Sequence, residues 1–61
     1  MKNAPGAPYR YPPEVVYAAD RMLGSALALL TETDPGEWPQ TAAGARALVA
    51  ECGRVWELVR P

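Results

Sequence analysis

Proline stands at residues 5, 8, 12, 13, 35, 39 and 61, and that placement partitions the chain before any other residue is weighed. Proline lacks a backbone N–H and its ring clashes with the turn before it, so it is tolerated at a helix start and rejected from a helix interior. Two stretches are long enough for a helix of about six turns and free of proline, 14–34 and 40–60. Ahead of them, Ala4-Pro5-Gly6-Ala7-Pro8-Tyr9-Arg10-Tyr11-Pro12-Pro13 is set for extended, polyproline-like backbone. The expected organisation is therefore an extended Pro/Tyr arm over 1–12 and a helical unit over 13–61.

Pro13 at a first helical position, followed by Glu14 in the first turn, is a good helix start, because the carboxylate meets the positive end of the helix dipole. At 100° per residue, Val15, Val16, Ala19, Met22, Leu23, Ala26, Leu27, Leu29 and Leu30 fall within an arc of roughly 160°. Glu14, Asp20, Arg21, Ser25 and Glu32 lie opposite. Thr33-Asp34-Pro35-Gly36 ends this segment, since a residue before proline is pushed out of the α region. Asp34, Pro35 and Glu37 fit a capping pattern, but Pro39 limits it to one turn. From Pro39 to 59 a second arc, about 120° wide, gathers Thr41, Ala45, Leu48, Val49, Cys52, Val55, Trp56 and Val59. Two helices, about 13–33 and 39–59, joined by a short connection, fold most simply into an antiparallel all-α hairpin.

Arc width carries the argument from fold to assembly. A helix facing one partner needs a narrow apolar seam, whereas a 160° arc must be covered from two sides. Chains this short also struggle to bury enough surface alone. The reading is a homodimer, two hairpins forming a four-helix bundle. Val16, Leu23, Leu27, Leu30, Cys52 and Trp56 are its candidate interface residues, with Tyr9, Tyr11 and Trp38 as aromatic contacts outside the helices. Ala19, Ala26 and Ala45 lie central on their arcs, where small side chains allow close approach.

Chemistry is restricted by what the chain lacks. It has no histidine and one cysteine, so common zinc spacings, imidazole acid–base catalysis and histidine-dependent triads all miss a part. Cys52 has no histidine to activate it and reads as a buried small hydrophobe, a cross-chain disulfide or a redox-sensitive thiol being the sharper alternatives. Glu32, Asp34 and Glu37 cluster at the connection without the oxygen spacing of a calcium loop. Glu51 with Arg54, and Arg54 with Glu57, are surface pairs three apart on a helix. No catalytic residue, cofactor or metal is expected.

Six basic against seven acidic residues, net −1, give no field for nucleic acid or anionic lipid. No apolar run approaches the length needed to span a bilayer. Residues 1–6 are too polar for the apolar region of a signal peptide, and the lone cysteine suits a reducing compartment, so a cytoplasmic protein is expected. The weight of Ala, Gly, Pro and Arg points to a GC-rich bacterial or phage genome. The closing Trp38-Pro39, Glu51-Cys52, Trp56 and Arg60-Pro61 resemble the ends of MbtH-like accessory proteins of peptide synthetases. The resemblance covers under half the chain and fails over Glu14 to Glu32, where that family is strand-rich and this chain has a helical period, so no function follows from it. The expected function is a small non-catalytic interaction or regulatory protein acting as a helical homodimer. The alternatives are an accessory subunit of a larger enzyme and, less favoured, a dimeric DNA-binding regulator.

Overall fold

A computed structural model describes residues 10–61, which form two helices and, among the described residues, no strand. Helix α1 spans Pro13–Glu32 and helix α2 spans Pro39–Val59. Most of the expected arm, Tyr9 included, lies outside the described residues. Pro12, at φ −59° and ψ 149°, has polyproline geometry, and its carbonyl accepts from the N–H groups of Val15 and Val16 at 2.9 and 3.2 Å. The residue that stands outside the helix thus supplies its first carbonyl acceptor.

The first helix stops one residue short of the expected end. Thr33 takes extended backbone, φ −98° and ψ 117°, while its hydroxyl donates to the Leu29 carbonyl at 2.6 Å. Asp34 then organises the connection. Its carbonyl accepts from the N–H groups of Glu37 at 3.2 Å and Trp38 at 2.8 Å, and its carboxylate accepts from the Gly36 N–H at 3.2 Å. That is the single turn the two prolines permit. Trp38 next offers its carbonyl to the Ala42 N–H at 2.9 Å, and α2 is under way.

The residues shielded from solvent follow one rule in both helices. In α1 they are Val16, Ala19, Leu23, Ala26 and Leu30, continued by Thr33; in α2 they are Ala42, Ala45, Val49, Cys52, Trp56 and Val59. Steps of three and four alternate throughout, a period of 3.5 residues. Such a seam stays in register with a neighbour only if the two helices coil around each other. Gly53 is also half-buried, beside the seam.

Counting the shielded residues outward from the turn aligns Thr33 with Ala42, Leu30 with Ala45, Ala26 with Val49, Leu23 with Cys52, Ala19 with Trp56 and Val16 with Val59. In the middle four levels a large side chain faces a small one, which is how two close helices fill the space between them. Ala26, Ala42 and Ala45 retain 2%, 1% and 1% exposure, yet no large side chain is fully buried. The core is thus built from four alanines, Cys52 and Val59, with the larger seam residues only half covered.

On the outer surface Glu51 and Arg54 pair at 2.9 Å. The expected partnership of Arg54 with Glu57 gives way to one between Glu57 and Arg60 at 3.2 Å, at the end of α2. Both pairs are exposed and contribute little. No helix among the described residues is long and apolar enough to cross a membrane.

The seam and the outer surface should respond oppositely to added methyl groups. A Cβ at Gly24 or Gly53 meets nothing within 4 Å, so Gly24→Ala and Gly53→Ala should each stabilise by about 0.5–1 kcal/mol through helix propensity. Ala26→Leu forces the helices apart and should destabilise by about 1–3 kcal/mol. Urea unfolding followed by circular dichroism at one fixed protein concentration measures all three.

Candidate interaction surface

An antiparallel coiled pair has two flanks, and the residues beside each seam position decide their character. On one flank lie the residues immediately preceding Val16, Leu23 and Leu30 in α1, namely Val15, Met22 and Leu29. Their counterparts in α2, preceding Val49 and Trp56, are Leu48 and Val55. All five are exposed, Met22 to 59%. Ala18 and Ser25 sit one turn from Met22 and Leu29, so large and small side chains alternate along the edge of α1. Together Ala18, Met22, Ser25 and Leu29 of α1 with Leu48 of α2 line an open groove of about 490 Å³, floored by Ala26 and Cys52. Arg21 closes its rim, its guanidinium 5.7 Å from the centre of the Tyr17 ring. Such a cation–π contact orients the arginine at an exposed site for roughly 0.5–1 kcal/mol.

The other flank is mixed. Following the seam residues Ala19, Ala26, Ala45, Cys52 and Val59 come Asp20, Leu27, Arg46, Gly53 and Arg60. Leu27 is exposed there among polar neighbours. Near the open end of the hairpin a second hollow of about 720 Å³ lies between Pro13, Val16, Tyr17, Asp20, Trp56 and Pro61.

The structure sorts the candidate residues into three groups. Val16, Leu23, Leu30, Cys52 and Trp56 meet in the seam between the chain's own helices. Leu27 stands on the mixed flank. Tyr11 and Trp38 are exposed at opposite ends of the hairpin, Trp38 by 58%, and Tyr9 is outside the described residues. The apolar flank itself, Val15, Met22, Leu29, Leu48 and Val55, was present in the hydrophobic arcs but was not distinguishable there from the seam. The signal that separates them is the 3.5-residue alternation, in which these five each stand one residue ahead of a seam position.

The polar groups lining this groove are the Ser25 hydroxyl and the Arg21 guanidinium, and the Cys52 thiol beneath is free and buried. Among the described residues no three cysteine, aspartate or glutamate side chains come together as a metal site would require. The arrangement offers apolar area, an open groove and a positively charged rim. No known protein family, curated protein or solved structure matches the chain.

Trp38 and Trp56 report separately on the turn and the seam. The variant Trp56→Phe, retaining the exposed Trp38, should be quenched by acrylamide several-fold more efficiently than Trp38→Phe, which retains the half-covered Trp56. Equal quenching constants would place Trp56 outside the seam.

Proposed function

We propose that this chain is a non-catalytic interaction protein that works as a helical homodimer, two hairpins packed into a four-helix bundle. One observation carries the reading: five large apolar side chains from both helices converge on a single flank, while the hairpin's own core contains no fully buried large side chain. Exposing that flank forgoes about 25 cal/mol for each Å² of apolar surface, and the alanine seam offers little to compensate. Covering it with a second hairpin removes the exposure and doubles the number of packed helices.

The absence of histidine and the burial of the lone thiol support a role in binding over one in catalysis. A single cysteine suits the reducing cytoplasm. The aromatic residues left outside the seam, Tyr11 at one end and Trp38 at the other, are then free to contact a further protein. In this reading the bundle presents them in symmetry-related pairs.

Size-exclusion chromatography with light scattering tests the assembly directly. A 6.6 kDa chain should elute at twice that mass, and Met22→Glu combined with Leu48→Glu should return it to the monomer while circular dichroism stays helical. Both positions are exposed in the hairpin and glutamate is a good helix former, so the substitutions act on the flank and spare the seam. A wild-type protein that is monomeric and fully folded at high micromolar concentration overturns the proposal. If the chain folds only with a larger protein from its host, an accessory-subunit role replaces it.

A further inference from the structure

Resting on the homodimer reading above, we infer that the apolar flank receives a second copy of this chain with the two turns at opposite ends, about a two-fold axis level with Leu23–Gly24 in α1 and Glu51–Cys52 in α2. Two arrangements would bury the same flank. With turns at the same end, α1 lies against α2 of the second copy; with turns at opposite ends, each helix lies antiparallel to its own duplicate. Shape and charge both select the second.

A two-fold axis between Leu23 and Gly24 brings Met22 to the level of Ser25 of the second copy and Leu29 to the level of Ala18. Met22 and Leu29 therefore each meet a small side chain, the same large-against-small matching that joins the hairpin's own helices, while Val15 comes level with Glu32. Because Leu23 is level with Cys52 across the seam, the same axis crosses α2 between Glu51 and Cys52. It places Leu48 of one copy level with Val55 of the other. The axis chosen on α1 thus pairs Leu48 with Val55 in α2 as well.

Charge also divides unevenly about this axis. From Gly24 around the turn to Glu51 the chain carries four acids, Glu32, Asp34, Glu37 and Glu51, against Arg46 alone, a net −3. The open half, residues 10–23 and 52–61, carries Arg10, Arg21, Arg54 and Arg60 against Glu14, Asp20 and Glu57, a net +1. Turns at the same end would set one −3 half against another. Turns at opposite ends lay each acidic half along the positive half of the other copy, as favourable association requires. Near the axis Glu51 comes within two residues of level with Arg54 of the second copy, so the carboxylates that approach there arrive with their guanidinium partners.

Distance between the turns separates the alternatives. A spin label is attached to Gly36→Cys in a Cys52→Ala background; a Cβ at Gly36 meets only the Asp34 carboxylate, at 3.6 Å, so the turn accepts it. At about 1.5 Å per residue from the axis, the turns of an opposite-ended dimer stand roughly 35–40 Å apart, and those of a same-ended dimer under about 20 Å. Pulsed dipolar spectroscopy should give the longer distance. The shorter distance, in a dimer, overturns the opposite-ended arrangement and leaves the homodimer reading standing. A monomeric mass with no dipolar signal overturns both. Gln40→Cys, exposed at the start of α2, reports the same separation should the label disturb the turn.

Discussion

Close approach of two helices along a seam of alanines is the constraint from which the rest of this structure follows. Ala26, Ala42 and Ala45 are the most deeply buried residues described, and a buried alanine contributes one methyl where a leucine contributes four carbons. The larger seam residues cannot be enclosed by so thin a layer. Leu23, Leu30 and Trp56 span the gap to a small residue opposite and stay partly open at the sides. What the seam fails to enclose is displaced onto the flank, so the exposed row of Met22, Leu29, Leu48 and Val55 is the complement of the small core.

The seam works only in one register, and the connection sets it. Asp34 uses its carbonyl twice and its carboxylate once to hold three consecutive N–H groups, those of Gly36, Glu37 and Trp38. Pro35 and Pro39 bracket this turn and forbid either helix from invading it. A residue gained or lost there would slide α2 along α1 and set Leu30 and Ala45 out of step, along with every level beyond them. Sequence punctuation and packing complementarity thus enforce the same alignment, the agreement between local and global preference that favours a single fold.

Much of this was legible in the residues alone. The proline positions and the apolar arcs gave both helices with their ends placed to within a residue, because Pro13, Pro35 and Pro39 act through backbone sterics that no tertiary contact overrides. The division of the arcs was not legible. Hydropathy assigns Leu29 and Leu30 alike, whereas the fold puts Leu30 in the seam and Leu29 on the flank, since a 160° arc exceeds what one neighbour can cover. Ala42, buried to 1%, carried no signal because alanine suits exposed and buried helix positions equally. Leu27 stood at one edge of the arc and ended on the mixed flank beside Ala26, as the 3.5-residue seam requires.

The same geometry ties association to stability. The flank draws residues from both helices, Met22 and Leu29 from one and Leu48 and Val55 from the other, so anything docked on it bridges α1 and α2 and opposes their separation. A hairpin held by four alanines, a cysteine and a valine has little stability to spare, and a ligand that binds the folded form alone raises it by mass action. For a second copy as ligand, folding and assembly then become one concentration-dependent equilibrium. Larger side chains in the seam would force the helices apart and so disturb the flank that spans both of them. In the proposed dimer, a core of alanines would couple the folding of one chain to the presence of another.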